Sequence, residues 1–271
     1  MTAKSAKKRP AKKAAKKAAA RVKPAARKPA KSTAKKASAA KKQAVARELP
    51  TRPAARRDLA PERIKAILDI LRDTYPNAEC ALVHGSPWQL LVATILSAQC
   101  TDARVNMVTP KLFAEFPTPQ SMANASLESI EEIIRTTGFY HNKAKSIQGA
   151  GRVISEKFGG QVPQTMEELL TVPGAARKTA NVVLGVAYGK AEGVVVDTHV
   201  FRLARRLGLT RSETAQAVEQ DLMKVIPRDR WIQLSHELIY HGRQICDARK
   251  PKCAACPLET LCHAPDKTWH S

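Results

Sequence analysis

Four cysteines crowd the C-terminal end of the chain in a pattern suited to a metal centre. Cys246, Cys253, Cys256 and Cys262 follow the spacing C-x6-C-x2-C-x5-C. Structural zinc usually uses two closely spaced pairs, and only the middle two residues form such a pair here. A cubane iron–sulfur cluster accepts four thiolates spread around a larger body, which suits the wider flanking spans. Free buried thiols are the third interpretation, and this density disfavours them.

A second candidate for chemistry is the stretch TVPGAARKTANVVLG, residues 171–185. Pro173 cannot continue a preceding helix, and Gly174 can adopt the positive φ of a tight reversal. The next helix then offers unpaired backbone N–H groups to a phosphate. Arg177 and Lys178 open that helix, although cations normally favour the opposite end. Lys178 is therefore a phosphate contact, a plain surface residue, or an amine driven toward its neutral, nucleophilic form.

The elements that must position these residues are helical from Asp58 onward. Apolar residues recur at helical spacing in PERIKAILDILRDTYP, and PWQLLVATILSAQ is apolar nearly all round, as in a buried central helix. Thr210 and Glu213 have capping-box spacing, which predicts a helix start at that point. The apolar run 194–196 is too short to support a sheet. The predicted fold class is therefore all-α.

Positive charge is concentrated at the N-terminus. Residues 1–57 hold 21 Lys or Arg and one acid, Glu48, whereas the rest of the chain holds 25 basic and 23 acidic residues. This Lys/Ala/Pro-rich segment cannot bury enough apolar surface to fold, so we expect a disordered tail. It resembles linker-histone tails and should bind undamaged DNA through counterion release. A targeting peptide and a solubility tail are the alternatives. The Lys-rich, Pro-broken composition opposes the first, since transit peptides are rich in Arg and Ser and form an amphipathic helix.

Five further stretches complete a resemblance: LLVATILSAQCTD, TGFYHNKA, RKTANVVLG, VVVDTHVFR and HGRQICDARKPKCAACPLETLC. Over about residues 60–265 the chain resembles the endonuclease III family of DNA glycosylases with AP lyase activity. The resemblance implies a two-lobed helix-hairpin-helix fold, with a six-helix barrel in 80–190 and an iron–sulfur lobe in 58–79 and 191–271. One departure is Ala176, where the family hairpin usually has a second glycine, and it leaves open how closely a phosphate can approach.

The resemblance also implies a reaction. Lys178 would attack C1′ of an extruded nucleotide that carries an oxidised pyrimidine of the thymine glycol type. The base would leave, a Schiff base would form, and β-elimination would cut the strand 3′ to the abasic site. The helix N-terminus and Arg177 should both disfavour the ammonium form of Lys178, whose free pKa is about 10.4. Asp197 matches the catalytic aspartate, although Asp197 or Thr198 could equally cap the helix that follows.

A damaged base inside a duplex must be flipped out before it can react. Gln99 matches the family residue that fills the resulting gap, and Phe139 matches its wedge, with core packing as the alternative for Phe139. The run 138–142 is predicted to be an exposed loop. His199 is either a phosphate contact or a packed histidine. The remaining predicted DNA contacts are Tyr140, Lys143, Lys145, Gly174, Ala176 and Arg177.

By the same resemblance the four C-terminal cysteines would hold a [4Fe-4S] cluster, and Cys80 and Cys100 would be ordinary core residues. A basic patch around the cluster would contact the DNA backbone through Arg243, Arg249, Lys250 and Lys252. The expected partner is double-stranded DNA with damaged pyrimidines or abasic sites, bound by a monomer in the nucleoid of a bacterial cytoplasm. With no apolar run of membrane-spanning length in the sequence, we expect no membrane partner.

Three rival functions remain. Adenine-mismatch and thymine-mismatch glycosylases of the same superfamily share much of this pattern but lack the hairpin lysine. The third rival is a non-enzymatic DNA-binding protein with a cluster and a compacting tail. Such a binder would have no need for Lys178 and Asp197 together, so the lyase is the favoured interpretation.

Overall fold

The computed structural model describes residues 55–268, and within this range the chain forms helices and connecting loops with no strand. The prediction of an all-α fold is confirmed, and the run 194–196 belongs to a loop. None of these helices combines the length and apolarity needed to cross a bilayer. The expectations for the basic tail fall mostly on residues outside the described range.

The α-helices are α1 (Pro61–Thr74), α2 (Pro87–Leu96), α3 (Asp102–Glu115), α4 (Pro119–Asn124), α5 (Leu127–Ile134), α6 (Tyr140–Phe158), α7 (Met166–Leu169), α8 (Arg177–Tyr188), α9 (Thr198–Arg206), α10 (Ala215–Val225) and α11 (Trp231–Gln244). Four 3-10 helices lie at Arg135–Thr137, Arg228–Arg230, Cys253–Ala255 and Glu259–Leu261.

Two hydrophobic clusters form the core of the described residues. The first joins α2–α8, and every residue of α2 from Leu90 to Leu96 is buried. The second joins α1 to α9, α10 and α11, so that it is built from both ends of the folded part. Each cluster forms around helices that are apolar on one stripe, because such helices must bury that stripe against a neighbour. The described residues therefore form two lobes, as the fold class predicted: the first lobe is built around the first cluster and the second lobe around the second cluster.

The reversal between α7 and α8 is a helical hairpin packed against α6. Gly174 has φ +81°, the left-handed conformation that the Pro-Gly sequence predicted. Its neighbours leave little space, since a Cβ at Gly174 would lie 3.0 Å from Cβ of Ser146 and 3.2 Å from Ile95. On α6, a Cβ at Gly149 would lie 3.2 Å from the Pro173 ring. The turn is thus seated on α2 and α6, which fixes where α8 begins.

Two local predictions were wrong. Helix α6 begins at Tyr140, so most of the run expected to be an exposed loop is its first turn. Helix α10 is capped by Thr214, whose hydroxyl accepts from the Ala217 amide, and not by Thr210. The Thr210 hydroxyl instead donates to Asp221 over 2.5 Å. A capping-box spacing cannot distinguish two nearby threonines when a tertiary partner engages one of them.

Candidate active site

Five of the predicted site residues line one open cavity of about 620 Å³. Gln99 follows α2, and Lys178 lies in the first turn of α8, so both come from the first lobe. Asp197 and His199 lie at the start of α9, and Arg243 near the end of α11, so these three come from the second lobe. The cavity is therefore a cleft to which both lobes contribute polar groups.

Lys178 is exposed at the N-terminus of α8. No side chain caps this helix, because its N-cap residue is Ala176. The first N–H groups of α8 are therefore open to an anion, and their partial positive charge lies beside the amine. Within residues 55–268 the Lys178 side chain has no hydrogen-bond or ion-pair partner. The arrangement can bind a phosphate and present an amine at the same point.

Asp197 is the N-cap of α9. Its Oδ1 accepts from the amide of His199 over 2.9 Å and from that of Val200 over 2.8 Å. The capping role considered for Asp197 is thus confirmed, and Thr198 is already helical. Both amides bond the same oxygen, so Oδ2 has no hydrogen-bond donor among the described residues. A carboxylate held in this way stays oriented and keeps one oxygen for a second task.

His199 is half-buried in the lining of the cavity. Its Nδ1 accepts from Nη2 of Arg202 over 3.3 Å, which leaves the proton of the neutral ring on Nε2. Burial lowers the pKa of His199 below its ordinary value. Arg202 also donates to the carbonyls of Gly242, over 3.0 Å, and Cys246, over 2.8 Å. A neutral His199 can therefore donate one hydrogen bond from Nε2, which suits a phosphate oxygen.

The hairpin keeps a conventional backbone despite its missing glycine. Ala176 has φ −75° and ψ 168°, an extended conformation open to any L-residue. Replacement of the usual glycine therefore introduces no backbone strain at this position. Arg177 does not point freely toward a ligand, since its Nη2 lies 3.0 Å from Oε1 of Glu219 in α10. Its charge, which the sequence suggested would act on Lys178, is paired.

Gln99 and Phe139 share an unusual backbone conformation. They are the non-glycine residues with positive φ among residues 55–268, at +54° and +49°. Left-handed backbone is costly for residues with a Cβ and tends to occur where function requires it. Both side chains are exposed, and Phe139 is 67% exposed despite its large apolar ring. Two strained, exposed side chains at the positions expected for gap filling and wedging support those roles.

The other residues of the wedge segment are less available than predicted. Lys143 is buried, and its Nζ donates to the Thr137 carbonyl over 2.7 Å. Burial lowers the pKa of this amine. Tyr140 is partly buried with its ring 4.1 Å from that of His141, whereas Lys145 is exposed. The expected phosphate contact by Lys143 is therefore corrected, because its ammonium is used to close the end of the preceding 3-10 helix.

The four C-terminal cysteines line a single cavity. Three of the sulfurs lie within reach of an N–H group. Nη1 of Arg206 donates to Cys246 over 3.2 Å, and the Thr268 amide donates to Cys253 over 3.3 Å. Nε2 of His241 lies 3.4 Å from Cys256. Hydrogen bonds of this kind are a common environment for thiolate ligands of iron–sulfur clusters.

The donor set fits a cluster better than a single ion. Among the described residues, no three His, Cys, Asp or Glu side chains are placed to hold one metal ion together. Four sulfurs around a shared cavity instead match a larger inorganic body. Burial raises the pKa of Cys256 to about 11, so this thiolate needs a cationic centre beside it. Cys80 and Cys100 are half-buried against the first core, as predicted.

Several polar residues near the cleft were not found from the sequence. Glu219 accepts hydrogen bonds from both Arg177 and Asn181, and Asp102 lies 2.5 Å from Nη2 of Arg243. Arg243 was predicted to contact DNA from the cluster loop, but it belongs to α11. The available signal was weak, because Glu219 follows the apolar Val218 but precedes two polar residues in the sequence AVEQDL. Pattern alone cannot name its partner, which lies 42 residues away.

Comparison with known proteins agrees with this geometry. A family model described as HhH-GPD superfamily base excision DNA repair protein matches residues 92–228. Endonuclease III of Synechocystis sp. is 57% identical over 201 residues, which cover 74% of this chain and 92% of that protein.

Solved structures give the same result. A non-covalent endonuclease III–DNA complex is 44% identical with a TM-score of 0.72, covering 76% of this chain and 96% of that one. A trapped covalent endonuclease III–DNA intermediate, described as an estranged-adenine complex, has the same identity, TM-score and coverage.

Proposed function

Because the chain belongs to the endonuclease III family of the HhH-GPD superfamily, we propose that it excises oxidised pyrimidines and cuts the strand through Lys178. At the coarser level it is a DNA glycosylase/lyase of base excision repair. The finer proposal names thymine glycol as the type of substrate and β-elimination as the strand-cleaving step. The observation that carries it is the shared cavity of Lys178 and Asp197 at two helix N-termini.

Chemistry begins when the damaged nucleotide is extruded into the cleft. The neutral amine of Lys178 attacks C1′, and the bond from C1′ to the base breaks with its electron pair. Asp197 stabilises the positive charge that develops on the sugar, or accepts the proton that the lysine releases. The C1′–O4′ bond then breaks as the lysine nitrogen forms a double bond to C1′, and O4′ takes up a proton, which gives the open-chain Schiff base. This intermediate loses a proton from C2′, and the C3′–O3′ bond breaks with its electron pair to release the 3′ phosphate.

The DNA interface in this proposal comes from both lobes. Gln99 fills the gap left by the extruded nucleotide, and Phe139 separates the bases beside it, with Tyr140 supporting the wedge. Amides around Gly174 and Ala176 bind one phosphate, and Nε2 of His199 binds another. Arg177 and Lys143 are left out of this set, because their charged groups already have internal partners.

Cys246, Cys253, Cys256 and Cys262 would hold the [4Fe-4S] cluster. When bound, the cluster supplies a structural cross-link for the C-terminal loop rather than chemistry on the base. That loop exposes Arg249, Lys250 and Lys252, which would contact the DNA backbone. We further propose the lobe limits given above, a monomeric enzyme, and a location on the bacterial nucleoid.

The test is borohydride trapping on a duplex that contains one thymine glycol. Wild type should form a covalent adduct and Lys178→Gln should form none. Lys190→Gln is the matched control, since Lys190 follows the far end of the same helix and binds Gln164. Base release by wild type without an adduct would reduce the chain to a monofunctional glycosylase. No base release from oxidised pyrimidines would contradict the proposed substrate, and no action on any DNA lesion would favour the DNA-binding alternative.

A further inference from the structure

A buried carboxylate lies directly behind the hairpin. Glu219 of α10 is 5% exposed, and its oxygens accept from Nε of Arg177 over 3.0 and 3.1 Å. Oε1 also accepts from Nδ2 of Asn181 over 2.8 Å. Both donors belong to α8 in the first lobe, whereas Glu219 belongs to the second. One side chain therefore connects the first turn of the hairpin helix to α10 of the second lobe.

The segment leading to Asp197 passes over the same group. A Cβ on Gly193 would overlap the Glu219 carboxylate and would lie 2.7 Å from Nδ2 of Asn181. Only a residue without a side chain lets the backbone run this close. The carboxylate thus contacts both chain segments that deliver Lys178 and Asp197 to the cleft.

Asn181 lies one turn beyond Lys178 on α8, so the two side chains share a face of the helix. Its amide is 4% exposed, and Glu219 accepts from its nitrogen. Its Oδ1 is buried and has no hydrogen-bond partner among the described residues. Asn181 also lines, with Lys178 and Asp197, a second cavity behind the cleft. Glu219 therefore also sets the orientation of an unsatisfied acceptor beside the nucleophile.

We propose that Glu219 is a positioning residue for the lyase reaction, acting through Arg177 and Asn181 to hold Lys178 against Asp197. The inference rests on the proposed function. It assigns Arg177 to the architecture of the hairpin rather than to DNA, because a buried carboxylate already binds its guanidinium. A buried ion pair is weak evidence for added stability, since desolvation offsets its attraction, whereas it can specify one arrangement of two elements.

The experiment measures the rate at which the Lys178 amine forms the Schiff base separately from the affinity for DNA. Glu219→Gln, Arg177→Gln and the double variant are each mixed in excess with a duplex that contains a preformed abasic site. Borohydride then traps the Schiff base at successive times. Affinity is measured separately on a duplex with a tetrahydrofuran abasic analogue. We expect the saturated trapping rate to fall by about 10- to 100-fold, as for an angstrom-scale misplacement, with affinity changed less than about threefold.

A matched control exists in the second lobe. Glu237 is fully buried and accepts from Nη2 of Arg230 over 2.9 Å with each oxygen, but it lines neither cavity beside Lys178. Glu237→Gln should lower the unfolding temperature comparably while its trapping rate stays that of wild type. If Glu219→Gln does not fold, Arg177→Gln carries the test, because the Arg177 side chain is 36% exposed.

The double variant distinguishes a shared role from two separate ones. If Glu219 and Arg177 act as one unit, the trapping rate of the double variant should match that of the slower single variant within about twofold, because the effects of coupled residues are not additive. Wild-type trapping rates in both single variants would overturn the proposal. Weakened affinity with a normal rate in Arg177→Gln would instead assign Arg177 to DNA. Absence of trapping by wild type itself would overturn the proposed function.

Discussion

At the scale of single residues, Asp197 combines a structural bond with a chemical role, and the two can be separated. Asparagine is as good an N-cap as aspartate, because its side-chain oxygen accepts the same two amides. We expect Asp197→Asn to keep the unfolding free energy near that of wild type while single-turnover excision falls by about 10²- to 10⁴-fold. Parallel thermal denaturation and excision assays check this.

Asp197→Ala is the companion variant. It loses the cap as well as the charge, so it should be less stable than Asp197→Asn by about 0.5–2 kcal/mol and equally inactive. Full activity in Asp197→Asn would mean that the residue serves only as a cap of α9.

Phe139 gives a second prediction at this scale, based on its positive φ. Glycine at 139 would relieve the left-handed backbone strain, which stabilises the folded state, but would also add conformational freedom to the unfolded chain, which destabilises it. Because these effects oppose each other, the unfolding free energy should stay within about 1 kcal/mol of wild type. Affinity for a duplex with an abasic analogue should weaken by about 1–3 kcal/mol, the value of one lost base stack. Denaturant titration for stability and equilibrium binding for affinity, both in the same buffer, check the prediction.

Phe139→Leu is the control for that variant, since it keeps an apolar wedge with the same backbone strain. It should retain more affinity than Phe139→Gly. Equal affinity of Phe139→Gly and wild type would show that the exposed ring does not enter the duplex.

The residues that could be predicted from sequence were those whose role depends on local context. Gly174 is fixed by its turn, and Asp197 by the helix that starts beside it. Lys143 and Arg177 were assigned to DNA because the sequence shows no partner for either charge. Their partners, the Thr137 carbonyl and Glu219, are determined by tertiary packing, which no local pattern contains.

At the scale of elements, the hairpin helix α8 lacks a side-chain cap. Ser, Thr or Asp caps most of its neighbours, including α2, α3 and α9. Ala176→Asp should cap α8 and raise the unfolding free energy by about 0.5–2 kcal/mol. The same carboxylate would occupy the amides and repel phosphate, so affinity for abasic-analogue DNA should fall about tenfold or more. Denaturant titration and equilibrium binding measure the two effects.

Helix α1 offers the control for this opposite effect on stability and DNA affinity. Its N-cap Ala60 also provides no side-chain bond, and this helix lies in the second lobe outside the cleft. Ala60→Asp should leave DNA affinity unchanged whatever it does to stability. Undiminished affinity in Ala176→Asp would show that the open amides of α8 do not bind a phosphate.

Element types were predictable because apolar spacing and turn residues carry that information, as in α1 and α2. The residues at which the elements begin and end were harder to predict. Helix α6 is preceded by Phe139, a left-handed N-cap that no propensity favours. Thr210 lost its predicted cap role to a hydrogen bond with Asp221. In both cases tertiary contacts outweigh the local preference.

At the scale of the whole molecule, buried arginines tie the two chain ends together in the second lobe. Arg63 of α1 donates to the carbonyls of Leu207, over 2.6 Å, and Leu261. Arg206 of α9 donates to the Asp247 carbonyl over 2.7 Å and to Cys246. Charged donors satisfy backbone carbonyls around the cysteines, in a loop whose own secondary structure is limited to two short 3-10 helices.

The basic tail supplies the prediction that belongs to the whole chain. The folded part already includes Ala55, which is buried and whose amide donates to the Arg205 carbonyl over 3.1 Å. A truncation should therefore remove residues 1–54, which contain 19 Lys or Arg. Each phosphate that these residues neutralise adds about 0.9 to the slope of log affinity against log salt. The truncated protein should bind undamaged duplex more weakly and with a shallower slope.

Single-turnover excision at saturating enzyme should be unchanged by the truncation, because Lys178 and Asp197 lie in the part that is kept. The tail would then act before chemistry, by keeping the enzyme on DNA while the cleft encounters bases. The decisive comparison is the salt slope of full-length and truncated protein on the same undamaged duplex. Equal slopes would exclude DNA binding by the tail, and a slower excision step would place part of the tail at the cleft.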